Sequence, residues 1–403
     1  MSTPTTSVLV VNSGSSSIKY QLVDPVGGEA IASGIVERIG EETGTLKHVH
    51  GDSTTVREQP VPDHGEGLRL VLALFEAVGP DLTQANVIAV GHRVVQGGPI
   101  FDGPVLIDAT VEQQIEDLAP LAPLHNPANL TGIRVGRALL PDVPHVAVFD
   151  TAFFHHLPAA AANYAIDRDV AQRHQVRRYG AHGTSHQYVS QEVAAFLGRD
   201  VAATSTIVLH LGNGASASAV KNGHAVDTSM GLTPLEGLVM GTRSGDIDPA
   251  VTFHLMRNAG MSVDEVDDLL NRRSGLKGMT GKNDLREVHQ LIEEGDEAAK
   301  VALDVYAHRI KKYIGSYMAV LGGVDVITFT AGVGENDDIV RARSLEGLER
   351  LGIEVDLERN AGRKKEPTII STDSSPTTVV VFPTNEELEI ARLAVDVVTG
   401  RDD

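Results

Sequence analysis

Residues 10–23, VVNSGSSSIKYQLV, place a polar turn rich in glycine and serine between two arms that alternate apolar and polar residues. Alternation with a period of two marks strands buried on one face, so the stretch predicts a β-hairpin. Its turn region carries Asn12, Ser15, Ser17 and Lys19. Small residues let backbone N–H groups and short hydroxyls converge on an anion, which makes this turn a candidate phosphate cradle. An ordinary hairpin loop would carry the same residues, and a single such turn would favour that simpler reading. A second turn appears about 200 residues later, in LHLGNGASASAVKNG from Leu209. There, too, an apolar strand meets a polar residue, a glycine turn and a second, alternating strand. Two hairpins of one design predict duplicated halves facing each other, with a nucleotide phosphate chain clamped between two domains.

Length and charge agree with two domains and a small ligand. At 403 residues the chain exceeds what one core usually serves. Its 34 Lys and Arg stand against 54 Asp and Glu, a net charge of −20. That balance argues against nucleic acid or an anionic membrane surface as partner, and an anionic ligand would need a local cluster of cations. Cysteine is absent, which excludes disulfides, thiolate catalysis and cysteine metal sites and points to a reducing compartment. The first residues show no basic region followed by a long apolar segment, and no later apolar run approaches the roughly 20 residues of a membrane span. A soluble, cytoplasmic protein is the expectation.

Strand-like runs alternate with amphipathic helical stretches throughout, which predicts an α/β protein. SVLVV, VIAVGHRVV, HVAVF, STIVLHL and DVITFTA read as strands. Helix ends are legible as well. Asn126 followed by Pro127 predicts an N-cap and first turn, with the helix running toward Leu140. Thr184 to Gln187 and Ser262 to Glu265 read as capping boxes, and Gly198 as a stop. A long helix leads up to Leu321 and closes on glycine, and a last one opens near Thr384 or Asn385 and ends at Gly400. The polar stretches near 51–67 and 364–378 read as loops.

Standard nucleotide signatures do not complete. GLKGMTGKN lacks P-loop spacing, and neither GVGEND nor GNGASA finishes the dinucleotide fingerprint. No nucleophile elbow, HExxH pair or protein kinase set occurs. The segments that do carry a pattern are NSGSSSIK (Asn12 to Lys19), GHRVVQGG, PLHNP, VFDTAF, YGAHGTSH, HLGNGASAS, TPLEGLVMGTRSGDIDP, TAGVGEN and PTNEE. In that order, and over essentially the whole chain, they resemble the acetate kinase family.

The resemblance implies membership of the superfamily of sugar kinases, heat-shock ATPases and actin. It further implies an α/β fold of two duplicated ribonuclease H-like, actin-like ATPase domains with a nucleotide cleft between them. The expected division is 1–150 with 385–403, carrying the first hairpin and the acyl side, and 151–384, carrying the second hairpin and the adenosine side. A homodimer is implied too. The implied reaction transfers the γ-phosphoryl group of ATP to a carboxylate, which brings two anions together. Charge neutralisation and alignment are therefore needed more than a base, because a carboxyl group with a pKa of about 4 is already ionised at neutral pH.

Residue by residue, Arg93 and Arg243 match the family's two active-site arginines, the first assigned to the substrate carboxylate and the second to the transferring phosphoryl group. In this acidic chain a structural ion pair is also an ordinary use for either one. Asp150, at the end of the strand HVAVF, matches the active-site acid and is read as positioning magnesium or water. His182 matches a histidine that donates to the phosphoryl group in the transition state, and His186 is read as structural. Lys19, His210, Leu211, Gly212, Asn213 and Gly214 match the phosphate turns. Asp284, Leu285 and Arg286, with Gly332, Val333, Gly334, Glu335 and Asn336, match the nucleotide side. Asn12 and Glu386 match the metal positions, for Mg2+ or Mn2+. Val95, Leu124 and Pro234 match a small apolar wall around the substrate methyl group.

Three departures stand out: Ala181 sits where the family carries Phe, Gln96 where it usually carries His, and Leu285 where it usually carries Phe. The first predicts either a gap filled by a neighbour or a pocket for a longer acid such as propionate, since one methylene is worth about 1–3 kcal/mol in an apolar pocket. Two further readings stay open. In a kinase with a hydroxyl acceptor, Asp150 would be a general base. In an ATP-driven conformational switch protein, nucleotide would alter shape rather than react, although no client-binding domain is expected after the last helix.

Overall fold

The structure is a computed structural model, and it describes residues 6–82, 84–123 and 125–401. The chain divides into two compact units, Met1–His155 with Asn385–Asp403, and His156–Thr384.

The first unit is built on an eight-stranded sheet: β1 (Ser7–Ser13), β2 (Ser17–Val23), β3 (Ala30–Glu37), β4 (Gly44–His50), β5 (Ser53–Gln59), β6 (Val87–Val94), β7 (Val105–Leu106) and β8 (His145–Phe149). Their order is β5-β4-β3-β2-β1-β6-β8-β7. The opening motif is the antiparallel β1–β2 hairpin, while β6 and β8 join in parallel. Parallel strands are covered on both faces, and accordingly every residue of β8 is buried. On β6, Gly91 approaches Ile390 and the next residue, His92, approaches Gly136. Successive strand residues point to opposite faces, so the helix Glu386–Thr399 covers one side of the sheet and the helix Asn126–Leu139 the other.

The second unit repeats this plan with six strands: β9 (Ser205–Leu211), β10 (Ala215–Lys221), β11 (His224–Thr228), β12 (Val326–Thr330), β13 (Thr368–Ile369) and β14 (Thr378–Val381). Their order is β11-β10-β9-β12-β14-β13. The run β3-β2-β1-β6-β8 and the run β11-β10-β9-β12-β14 share one pattern: an antiparallel hairpin, a third antiparallel strand on its outer side, and two parallel strands on the other. Duplication, read from two turns, is thus visible in the pairing of whole sheets. Residues such as Ile207, Leu209, Ile327, Phe329 and Val379, all fully buried, pack with Leu303, Ile310 and Ile314 of the long helix Glu297–Leu321. Each such side chain contributes about 1.5–3 kcal/mol of transfer free energy.

Several local expectations are corrected. The stretch read as a loop around 51–67 contains β5, which pairs with β4, and the start of the helix His64–Val78 capped by the Asp63 side chain. β5 is a sheet edge with mostly exposed residues, so it lacks the apolar alternation that would reveal it. The second such stretch contains the short strand β13. Thr184 does not cap its helix. That helix is Gly183–Phe196, with His182 at the N-cap in the left-handed region at φ 59°. Asn126 lies inside the helix Asn126–Leu139, with His125 at the cap, because its carboxamide is taken by the backbone of Gln96. The capping box of Ser262 and Glu265 and the glycine closures at Gly322 and Gly400 form as expected.

At Gly132 the helix Asn126–Leu139 crosses β1 so closely that an added Cβ would lie 2.7 Å from Ser13 Cβ. Rotating the Ser13 side chain cannot relieve a clash with its Cβ. Gly132→Ala is therefore expected to lower the urea unfolding free energy by about 1–3 kcal/mol.

Candidate active site

In the first unit, parallel pairing of β6 with β8 carries Arg93 and Asp150 to the same end of the sheet, with the Asp150 N–H donating to Val94 O at 2.9 Å. Arg93 Nε donates to Asp150 Oδ1 at 2.9 Å and Nη2 donates to Oδ2 at 2.6 Å. Asp150 is 1 % exposed and the Arg93 side chain 21 %. Burial alone would lower the guanidinium pKa, but the charges of Asp150, Glu386 and Glu387 outweigh it and raise it. The fork of a guanidinium has five N–H donors, so three remain for a ligand.

The first hairpin pairs Asn12 with Lys19, and its tip is tight, with the Gly14 N–H donating to Ser17 O at 2.8 Å. His64 Nε2 lies 2.7 Å from Gly14 O. Asn129 spans two strands, donating from Nδ2 to Ser13 O at 2.7 Å and accepting the Val95 N–H at 3.1 Å. The predicted wall residue Val95 is held this way, while Leu124 lies outside the described residues.

Glu386 opens the first turn of the helix Glu386–Thr399. Burial and the charge of Glu386 raise the Glu387 pKa, against the lowering effect of its own backbone N–H, Arg93 and Lys19. These oxygen donors suit a hard divalent cation. Asn12 is half-buried and its carboxamide makes no hydrogen bond among the described residues. No cluster of three or more His, Cys, Asp or Glu ligands occurs among the described residues, so the donor set fits an ion completed by phosphate and water.

In the second unit, the β9–β10 hairpin turns through Gly212 and Gly214. His182 and His210 stack with ring centroids 4.3 Å apart. His182 Nδ1 lies 2.9 Å from Ser216 Oγ, and His210 Nδ1 lies 2.8 Å from Ser185 Oγ. A Cβ built on Gly214 would sit 3.6 Å from both His182 Nε2 and Arg243 Nη1. Turn, imidazole and guanidinium therefore converge.

Arg243 Nη1 donates to Pro234 O at 3.2 Å and lies 3.6 Å from Met240 Sδ. No carboxylate pairs with Arg243 among the described residues, and burial lowers its pKa. A half-buried cation held by neutral groups alone is costly and is expected to gain from an arriving anion.

A cavity of about 740 Å³ in the same unit is lined by Gly212, Asn213, Asp284, Leu285, Arg286, Gly332, Val333 and Asn336, together with His289 and Tyr306. Two predicted contacts turn away from it. Gly334 is buried against the Phe329 backbone with its carbonyl accepting from Arg341, and the Glu335 carboxylate accepts the N–H groups of Ala331 and Thr384. Leu211 is a fully buried core residue. The sequence reading missed Tyr306, whose hydroxyl is buried without a hydrogen-bond partner among the described residues, and His289, whose Nε2 lies 2.7 Å from Asp337 Oδ2. It also missed Asn126, Asn129 and Glu387. The spacing of Asn126 and Asn129 on one face of a helix start was the available signal.

A duplicated α/β scaffold with glycine hairpins, half-buried cations and a nucleotide-sized cavity defines a phosphotransferase of the actin-like ATPase fold. The chain belongs to the acetokinase family, whose model matches residues 7–392. It is 58% identical over 393 residues to the acetate kinase of Leifsonia xyli, covering 98% of this chain and 99% of that one. Among solved structures, the acetate kinase of Porphyromonas gingivalis superposes with a TM-score of 0.94 at 43% identity, covering 98% of this chain and all of that one. A propionate kinase from Francisella tularensis superposes at 0.92 with 40% identity, covering 97% and 100%.

Gly275 has φ 62°, and an added Cβ would lie 2.2 Å from Met240 O, 2.7 Å from Arg243 O and 3.1 Å from Arg243 N. Gly275→Ala should displace Arg243 and cut kcat at least tenfold, while thermal unfolding still shows a folded protein; steady-state kinetics checks this.

The hydrogen bond to Asp337 raises the His289 pKa above 6.5 despite burial. A raised folded pKa gives stability that is complete below the unfolded value and lost as pH rises through the folded one. The gap in unfolding free energy between the protein and His289→Gln should therefore shrink from about pH 6 to pH 9, measured by urea titration.

Proposed function

We propose that this acetokinase catalyses reversible transfer of the γ-phosphoryl group of ATP to acetate, giving acetyl phosphate and ADP by direct in-line attack of the carboxylate oxygen. The observation that carries this reading is Arg243, a half-buried cation without a carboxylate partner among the described residues, beside the second glycine turn and His182. The acetate kinases of Leifsonia xyli and Porphyromonas gingivalis supply the acceptor.

In this reading Arg93, backed by Asp150, offers its remaining N–H groups to the acetate carboxylate, with Val95, Leu124 and Pro234 around the methyl group. Both Asp150 oxygens are engaged by Arg93, an arrangement that suits a positioning acid and disfavours the general base a hydroxyl acceptor would need. Arg243 and His182 neutralise charge on the transferring group, which is where electrostatic stabilisation acts most strongly. Lys19 and the turn at His210, Leu211, Gly212, Asn213 and Gly214 hold the phosphate chain. Asp284, Leu285, Arg286, Gly332, Val333 and Asn336 hold the adenosine, with Gly334 and Glu335 supporting that loop from behind. Asn12 and Glu386 would hold Mg2+, which when bound neutralises phosphate charge; Mn2+ would serve the same way. The unit Met1–His155 with Asn385–Asp403 takes the acyl side and the unit His156–Thr384 the adenosine side. The enzyme is read as a cytoplasmic homodimer; among the described residues no helix is long and apolar enough to cross a membrane.

Propionate is a second reading of the acceptor. Ala181, next to His182 and 3 % exposed, is small where the resemblance places a ring, and a propionate kinase is among the similar structures.

Hydroxylamine trapping of acyl phosphate formed from ATP, Mg2+ and formate, acetate, propionate or butyrate tests the function. Acetate is expected to be the preferred acceptor. A preference for propionate that Ala181→Phe abolishes would transfer the assignment to the longer acid. No acyl phosphate from any of them would contradict both and favour a nucleotide-driven switch. Arg93→Ala and Arg243→Ala should each lower kcat/KM by about 100-fold or more.

A further inference from the structure

Behind His182 lies a chain of hydrogen bonds that no step above uses. His182 Nδ1 lies 2.9 Å from Ser216 Oγ, Ser216 Oγ lies 2.7 Å from His186 Nε2, and His186 Nδ1 lies 2.7 Å from Ser218 Oγ. Ser216, Ser218 and His186 are fully buried. Burial, reinforced by the nearby His210, lowers the His186 pKa well below 6.5 and keeps its imidazole neutral, with a single N–H.

A hydroxyl has one proton to give, and an arrangement in which Ser216 accepts from both imidazoles leaves that buried proton unpaired. If Ser216 spends its proton inside the chain, the chain can be polarised in only two directions. In one, Ser218 donates to His186 Nδ1, His186 Nε2–H donates to Ser216, and Ser216 donates to His182 Nδ1. In the other, every donor reverses, and the Ser218 hydroxyl proton must find another acceptor. Among the described residues Ser218 Oγ has no other hydrogen-bond partner. Leaving a buried hydroxyl proton unpaired costs about 1–3 kcal/mol, which selects the first direction.

We infer that Ser216, His186 and Ser218 are positioning residues that polarise His182 so that Nδ1 accepts and Nε2 carries the proton. Nε2 is the ring nitrogen beside the Gly214 turn, so the relay presents an N–H donor, rather than a lone pair, to an anion held there. A lone pair in that place would repel a phosphoryl oxygen. The catalytic consequence rests on the proposed role of His182, whereas the tautomer itself does not.

Long-range 1H–15N correlation on histidine-labelled protein, with His182 assigned through His182→Gln, reads the tautomer directly. The expected result is the Nε2–H form of neutral His182; an Nδ1–H form overturns the relay. Ser218→Ala, three hydrogen bonds from the His182 ring, should populate the other tautomer and lower kcat about tenfold, less than the roughly 10²–10⁴-fold that a positioned proton donor contributes. KM for ATP and for acetate should change less than about twofold, since ground-state binding is untouched. Unchanged tautomer and kcat in a folded Ser218→Ala protein would contradict the inference. Wild-type activity in His182→Gln would instead remove the catalytic role of His182 and leave the tautomer result standing.

Discussion

A half-buried guanidinium without a counter-charge among the described residues is the constraint on which the proposed chemistry of the second unit depends. Arg243 sits in a chain with 54 acidic residues and yet leans on a backbone carbonyl and a thioether. Holding a cation in that state needs a rigid surround, and the backbone of Gly275 packs so closely that an added Cβ would lie 2.2 Å from Met240 O and 2.7 Å from Arg243 O. Arg93 in the first unit shows the opposite solution: its charge is met by a bidentate carboxylate and two further acids nearby. The two arginines suit different anions. In the proposed function, one would keep its field largely uncompensated for a multiply charged phosphoryl group, and the other would be softened for a singly charged carboxylate.

The duplicated sheets explain why the candidate residues of each unit sit where they do. In each unit the glycine hairpin joins the first two strands, and the parallel strands beside it end in candidate site side chains or backbone. Arg93 ends β6 and Asp150 follows β8, while the cavity-lining turn from Gly332 follows β12. Strand ends in parallel sheets leave side chains free of sheet packing, which is why ligands gather there.

Much of this was legible in the sequence because its cause is local. Glycine turns, the Ser262–Glu265 box and the glycine helix stops follow from neighbouring residues, and the nine ordered motifs carried the family resemblance. What escaped depends on partners far along the chain. β5 has no apolar alternation and exists because β4 offers an edge. Asn126 looks like a cap but spends its carboxamide on Gln96, 30 residues away. His186 was read as structural, and only the strand register that sets Ser216 and Ser218 against it reveals a polarised chain. Gly334 and Glu335 share a motif with true cavity residues, yet the helical turn of Ala331–Asn336 points them inward.

The most direct test of the central claim is a crystal structure with ADP, Mg2+, acetate and a planar aluminium fluoride in place of the transferring phosphoryl group. The account predicts Arg243 Nη1 and His182 Nε2 within about 3 Å of equatorial fluorides, with Arg243 still unpaired by any carboxylate. A fluoride group bound away from Gly214, or an Arg243 guanidinium turned to a carboxylate while the analogue is bound, would contradict it.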